Sequence, residues 1–290
     1  MLIPDLHENI ALLETRSKLQ RSEGFGSLTV KQTLGRTRIN TLHQQGCSKI
    51  RFPRVHDFPG TGAIAQAVLI NSSGGMTGGD RLNWYFGLSS GTHLAITTQA
   101  CERIYKSSGG LAQTHITIEA GDDTTLAWLP QETILYDRGR FKRTIEADLS
   151  KSCEALFVEP IMFGRKSMHE VVADGFLHDR WRIRQGGKPV HAEDFHIEGD
   201  IDKALLENSV ANGNAALATL LLIAPRAEGL LNDVRQHIGQ SGDVQGDASF
   251  WNGKLLIRLL APTSFLLRKK LVPLIGLLNN GAPLPRIWTT

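Results

Sequence analysis

Strand-like segments recur along most of this chain, roughly every 10 to 20 residues, and few helical segments lie between them. Residues 27–52 and 82–197 alternate apolar and polar side chains or are rich in β-branched ones, and glycines separate many of the segments. Alternation with a period of two is typical of strands with one buried face. Strands this closely spaced favour a stack of paired strands over alternating β–α units. The sequence therefore predicts a mainly β fold.

Helical patterns appear only late in the chain. Residues 227–238 and 262–278 each place apolar side chains on one face. Between them, Asn252-Gly253 separates two short apolar segments, which is a strong hairpin signal. No repeat of fixed length and no linker divides the chain. We therefore expect one β-rich domain over residues 23–290 with about two α-helices near the C-terminus, and an N-terminal extension over residues 1–22 that is helical or flexible.

Composition excludes several classes of partner. The net charge is only +3, and no basic stripe with interleaved aromatic residues occurs, so nucleic acid is not expected to bind. The three cysteines are widely spaced and form no Cys-x-x-Cys motif, which argues against a disulfide framework or a structural zinc site. No window approaches the roughly 20 apolar residues that span a bilayer, and the N-terminus does not resemble a signal peptide. We expect a cytoplasmic protein that does not enter a membrane.

A glycine-rich loop follows the apolar segment at residues 63–70. Residues 74–79 have the Gly-x-x-x-x-Gly spacing of a phosphate-binding loop, but Asp80 and Arg81 stand where such a loop has Lys and Ser or Thr. A carboxylate at this position repels phosphate and favours a cation. We therefore interpret the segment as a tight turn that directs Asp80 into the protein. The structural glycines of this loop are Gly74, Gly75, Gly78 and Gly79.

Several other acidic residues lie in apolar surroundings. Glu102 follows an apolar strand, Glu132 follows Trp-Leu-Pro-Gln, and Glu159 lies inside an apolar segment at residues 156–163. An acid in such a setting is costly to bury unless it is paired, protonated or bound to a cation. Each could simply form a salt bridge with an arginine. Together with Asp80, however, they make an acid-lined interior a reasonable hypothesis.

The best local metal-ligand cluster is His-Ala-Glu-Asp-Phe-His at residues 191–196. On a strand, His191 and Glu193 share one face, while Asp194 and His196 share the other. Each face offers only two ligands, so a closed site would need additional ligands from elsewhere in the chain. Solvated strand side chains are the alternative interpretation of this cluster.

Five segments in order resemble one known family, the urease accessory proteins UreD, which are called UreH in some organisms. The resemblance covers about residues 25–290 and has no counterpart for roughly the first 22 residues. Ser72-Ser73 and Thr77 depart from the usual pattern of the glycine loop. The similar segments are the loop at 74–82, residues 97–100 with 105–107, Trp-Leu-Pro-Gln-Glu at 128–132, Phe-Gly-Arg at 163–165 with Glu170, and the tail at 283–289.

The resemblance implies a helical, β-helix-like stack of strands with two helices and a non-catalytic urease maturation factor. Such a factor joins the accessory proteins UreF and UreG, the latter a GTPase, forms a dimer of heteromers through UreF, and docks onto urease apoprotein. The resemblance implies no tightly bound cofactor, and it implies nickel(II) only as an ion in transit to urease. By position, the acids matched to such a path are Asp80, Glu102, Glu159 and Glu193. Carboxylates suit transfer, because each binding step must be weak enough to release the ion.

Two alternatives remain at the level of the sequence. One is a small-molecule enzyme that uses the glycine-rich loop, with Asp80 or the pair His191 and Glu193 as acid–base groups. The other is a β-rich binding module of unknown role. Co-purification with urease and its accessory proteins would favour the maturation factor over both.

Overall fold

Strands dominate the computed structural model, which describes residues 20–53, 64–165, 168–239 and 242–289. The strands of the first half of the chain are β1 (Glu23–Thr33), β2 (Arg36–Gly46), β3 (Ser48–Arg51), β4 (Ala65–Asn71), β5 (Arg81–Leu88), β6 (His93–Thr98), β7 (Glu102–Ile104), β8 (Ala112–Ala120), β9 (Thr125–Leu129) and β10 (Thr133–Leu135). Those of the second half are β11 (Arg140–Leu149), β12 (Glu154–Phe163), β13 (Gly175–Gln185), β14 (Lys188–Gly199), β15 (Ala216–Ile223), β16 (Gln245–Trp251) and β17 (Lys254–Ala261).

Two sheets form the body of the molecule. The first has the strand order β14-β13-β11-β8-β5-β1-β2, and the second runs β16-β17-β15-β12-β9-β6-β4-β3. The central strands of each sheet are parallel to one another. Hairpins add antiparallel strands at the edges.

The central chain winds as a stacked coil. Strand β5 lies in the first sheet, β6 in the second, and β7 forms a short third face before β8 returns to the first sheet beside β5. The next turn repeats this path through β9 and β10, and β10 pairs in parallel with both β7 and β12. Because every turn stacks on the one before it, parallel pairing arises without crossover helices. The predicted β-helix-like stack is therefore confirmed.

The helices of the described residues are α1 (Ile201–Leu206), α2 (Leu231–Gly239) and α3 (Ser264–Leu278). The apolar sides of α2 and α3 form a second core with the outer face of the second sheet, whereas Ile201 and Leu205 of α1 belong to the main core. The main core lies between the two sheets. Strand β12 is apolar almost throughout because both of its faces are buried.

The two late helices and the hairpin at Asn252-Gly253 are confirmed, with both turn residues at positive φ. The expectation of about two helices missed α1, a short helix that Asp200 caps by accepting a hydrogen bond from the Lys203 amide. Its six residues are too few for a recognisable helical period. The predicted N-terminal extension lies outside the described residues as far as residue 19.

Candidate functional site

The glycine-rich loop connects β4 to β5 and is closed by the aspartate that follows it. One carboxylate oxygen of Asp80 accepts a hydrogen bond from the Ser22 amide at 2.8 Å, and the other accepts from the Thr77 amide at 2.8 Å. The side chain is buried. Because backbone donors engage both oxygens, Asp80 holds the loop and the chain before β1 together.

Close packing explains two of the four glycines. A side chain at Gly78 would collide with the Ser107 hydroxyl and with the carbonyl oxygens of Gly109 and Gly110. At Gly75, which has a φ of 147°, it would collide with the Tyr105 ring. The loop is therefore a tight turn against the segment after β7.

An internal cavity of about 160 Å³ lies between the two sheets, beside this loop. Its apolar walls include Trp84 from the first sheet and Trp128 from the second. Its polar lining includes Glu102 on β7, and Glu159 on β12 with Arg143 on β11. The coil brings these groups together because β7, β11 and β12 belong to the three faces of adjoining turns.

Glu102 lies on the third face of the coil. Its Oε1 accepts a hydrogen bond from the side-chain amide of Asn71 at 3.1 Å. The backbone amide of Glu102 donates to the backbone carbonyl of Glu132. Burial raises the pKa of Glu102 to about 7, and the negative charge of Asp80 adds to this effect against the hydrogen bonds that lower it. Near neutral pH, a cation bound beside Glu102 would therefore displace its proton to solvent at little cost.

Glu159 is fully buried and belongs to an ion network. Its Oε1 accepts from the Trp128 indole at 2.7 Å, and its Oε2 lies 2.5 Å from Nη1 of Arg143. Arg143 also binds Asp179 on β13 through two hydrogen bonds of 2.9 and 2.6 Å. The Trp181 indole donates to the same aspartate.

This network holds one arginine against two carboxylates. With both acids ionised it carries a net negative charge in the interior, where charge is poorly solvated. Burial raises the pKa of Glu159 to about 7, with the charge of Arg143 opposing and that of Asp179 reinforcing the rise. A proton or a cation in the cavity relieves the same excess charge.

Glu193 lies elsewhere, between the edge of the first sheet and β17. Its Oε2 lies 2.6 Å from Nη2 of Arg258 and 3.9 Å from Nε2 of His191. Burial, together with the charges of Lys254 and Arg258, lowers the pKa of His191 to about 4. The cavity therefore contains two of the four acids predicted from sequence, Glu102 and Glu159; Asp80 adjoins it, and Glu193 belongs to a separate ion pair.

Glu132 is held by the C-terminal helix. Nη1 of Arg268 on α3 lies 2.9 Å from the Gln131 side-chain oxygen and 3.4 Å from Glu132. The Cys101 thiol donates to Glu132 at 3.3 Å, and burial, with the glutamate charge, raises the pKa of this thiol to about 12. Cys101 is therefore a protonated thiol, not a thiolate.

Sequence reasoning missed Arg143 and Asp179. Each lies on the buried face of its strand. Arg143 lies between Phe141 and Ile145 on that face, and Asp179 lies between Leu177 and Trp181. In each strand the charged residue stands at a position where the alternation places buried apolar side chains, and this break in the pattern could have identified both residues.

No group of three or more His, Cys, Asp or Glu side chains within the described residues could hold a metal ion in a closed site. Among the helices of the described chain, none has the length and apolar character needed to cross a bilayer.

Comparison with known proteins agrees with the resemblance. A family model described as "UreD urease accessory protein" matches residues 22–289. The chain belongs to the UreD family. It is 46% identical to the urease accessory protein UreD of Agrobacterium fabrum over 269 residues, covering 93% of this chain and 92% of that one. It is 45% identical to UreD of Rhizobium johnstonii, covering 93% and 96%, and 44% identical to UreD 1 of Brucella abortus, covering 93% and 95%.

The family match covers nearly all of the described fold. The family match begins at residue 22, one residue before β1, and runs through the tail after α3. The UreD match thus includes both sheets, the cavity and the helices that cover the second sheet.

Proposed function

We propose that this chain is a non-catalytic urease maturation factor, and that nickel(II) on its way to urease passes through the cavity between the two sheets. Membership of the UreD family supports the role in urease maturation. The observation that supports the passage is the pairing of Glu102 and Glu159 in one cavity, each with a pKa raised to about 7.

A divalent cation replaces the proton on either acid at little electrostatic cost. Each carboxyl is destabilised by burial when it is ionised, so a nearby cation stabilises it more than it would a solvated one. Neither acid belongs to a cluster with enough ligands to retain the ion. Binding at the two positions is therefore weak and successive, as transfer requires.

Asp80 serves this passage indirectly. Its carboxylate holds the glycine-rich loop, which lines the cavity at Gly74 and Gly75. We assign it a positioning role, because backbone amides occupy both of its oxygens. Glu193 lies outside the cavity and has no part in the proposed route.

The proposed partners are UreF, the GTPase UreG and urease apoprotein, in a dimer of heteromers formed through UreF. UreG supplies the nucleotide chemistry, since the loop at residues 74–81 lacks the lysine of a phosphate site. Phe265, which is 74% exposed on α3, is a candidate contact residue. We propose that the complex acts in the cytoplasm.

Conservative substitution of the two acids tests the passage. E102Q, E159Q and the double variant are co-expressed with urease and its accessory proteins, and urease activity and its nickel content are measured. Both should fall, most strongly in the double variant, while the accessory complex still assembles. The matched control is E146Q, which neutralises an exposed acid on β11, the strand that carries Arg143.

Unchanged nickel content in the double variant, with an intact complex, would refute the passage but not the maturation role. The maturation role fails separately if deletion of the whole chain leaves urease activation unaffected. It also fails if the tagged chain recovers neither urease nor its accessory proteins.

A further inference from the structure

A second recess lies where the edge strand β14 of the first sheet faces β16 and β17 of the second. This cleft has a volume of about 690 Å³ and shares no lining residue with the cavity that holds Glu102 and Glu159. His191 lines one side, and Trp251, Lys254 and Arg258 line the other.

Lys254 is an almost fully buried cation at this cleft. Only 3% of the residue is exposed, and its ammonium lies 4.2 Å from the centre of the Trp251 ring. Within the described parts of the chain, its side chain has neither a hydrogen bond nor an ion pair. The aromatic ring attracts the charge but accepts no conventional hydrogen bond. Burial lowers the pKa of the Lys254 ammonium, and an anion beside it in the cleft would offset this desolvation.

His191 presents a second unsatisfied group. It is 7% exposed, and its Nε2 has no hydrogen-bond partner in the described structure. The nearest carboxylate, Glu193, is 3.9 Å away and is already held by Arg258 at 2.6 Å.

The other acid at the cleft is also occupied. Asp247 accepts hydrogen bonds from Arg235 on α2 at 3.2 Å and from the Ala248 amide at 2.7 Å. The two acids at the cleft are thus engaged by arginines, whereas Lys254 and the imidazole Nε2 of His191 remain available to a ligand.

We propose that this cleft is a binding site for a carboxylate group. One carboxylate oxygen accepts from Nζ of Lys254, and the other accepts from Nε2–H of His191. The remainder of the ligand packs against Trp251, Leu256 and Val190, whose side chains make the cleft partly apolar. The source is either a free carboxylic acid or an acidic side chain on a partner segment that runs along the edge strands.

Indole NMR of the full chain tests this site directly. The protein has five tryptophans, so a tryptophan-labelled sample gives a simple spectrum in which the Trp251 signal is assigned by its loss in W251F. Sodium butyrate should shift this signal saturably at millimolar concentrations. K254M should weaken butyrate binding at least about tenfold, whereas K254R retains the charge and most of the affinity.

K49M is the matched control, because it removes a partly exposed lysine whose ammonium donates to a backbone carbonyl. Butyrate should bind it as it binds the wild-type chain. A blocked peptide with one central glutamate distinguishes the two sources: tighter binding than butyrate indicates a partner segment, and equal or weaker binding indicates a free acid.

The proposal is overturned if butyrate and the peptide both fail to shift the Trp251 signal saturably, or if K254M binds them as the wild type does. The titration of the wild-type chain needs no substitution at Lys254. If K254M proves unstable, the absence of a saturable shift in the wild-type chain would still overturn the proposal. Neither result bears on nickel transfer, because the cleft and the cavity have no residue in common.

Discussion

Arg143 lies between two buried carboxylates, Glu159 on the second sheet and Asp179 on the first. Its guanidinium therefore joins the sheets across the core by ion pairing as well as by apolar packing. A third contact, to the Thr133 hydroxyl at 3.0 Å, fixes its orientation toward the short third face. Removal of this one cation leaves two acids facing each other without compensation.

We expect R143M to lower the free energy of unfolding by about 3–5 kcal/mol, the usual cost of breaking a buried ion pair from one side. Arg140 lies on the same strand as Arg143 and forms a partly exposed ion pair with Asp174. The matched variant R140M removes this pair and should lower the free energy of unfolding by less than about 1 kcal/mol. Urea denaturation of both variants measures the difference. Equal losses would mean that the buried network contributes no more than a surface pair.

At the scale of elements, α3 and the tail that follows it close the outer face of the second sheet. Thr263 caps the helix by accepting a hydrogen bond from the Leu266 amide. Arg268 stacks on the Trp288 ring at 4.8 Å and donates to the Ile287 carbonyl at 2.6 Å. The Trp288 indole in turn donates to the Leu129 carbonyl on β9, so the tail is fastened to the sheet.

W288A should therefore destabilise the protein by about 3–5 kcal/mol, since it removes a fully buried aromatic side chain and leaves a cavity. F265A on the same helix removes an aromatic group that is 74% exposed and should change stability by no more than about 0.5 kcal/mol. Thermal and urea unfolding of the two variants provide the comparison. A neutral W288A would show that the tail is not fastened to the sheet.

At the scale of the whole molecule, four groups with shifted pKa values give stability its pH dependence near neutrality. Glu102 and Glu159 have pKa values raised from 4.5 to about 7. Between these pH values the folded state therefore holds two protons that the unfolded state has released. His191 has its pKa lowered from 6.5 to about 4, so the folded state lacks one proton there. Burial and the charge of Lys270 also lower the pKa of His237, so the net excess in the folded state is at most about one proton between pH 4.5 and 6.5.

Stability should consequently fall as pH rises from 5 to 6.5, by at most about 1.4 kcal/mol per pH unit, because the folded state binds more protons than the unfolded one. E102Q removes one of the two raised acids and should make this region nearly flat. H191Q removes the opposing group and should roughly double the slope. Urea unfolding at a series of pH values tests all three slopes, and a wild-type profile that rises with pH would contradict the assignment.

The sequence alone predicted most of the architecture. Period-two alternation identified many strands of both sheets, and the Asn-Gly pair identified the β16–β17 hairpin, because these signals depend on neighbouring residues. The glycine-rich loop was correctly interpreted as a tight turn. Helix α1 was not predicted, because a six-residue helix is stabilised by its cap and by packing against the rest of the fold.

The sequence also determined which residue types are present: acids in apolar segments, and an aspartate in place of the lysine of a phosphate loop. Only the tertiary structure decided their partners. The coil places Glu102 and Glu159 in one cavity, sends Asp80 to backbone amides and leaves Glu193 with Arg258. Alternation along a strand specifies which side chains point inward, but the stacking of successive turns specifies which of them meet.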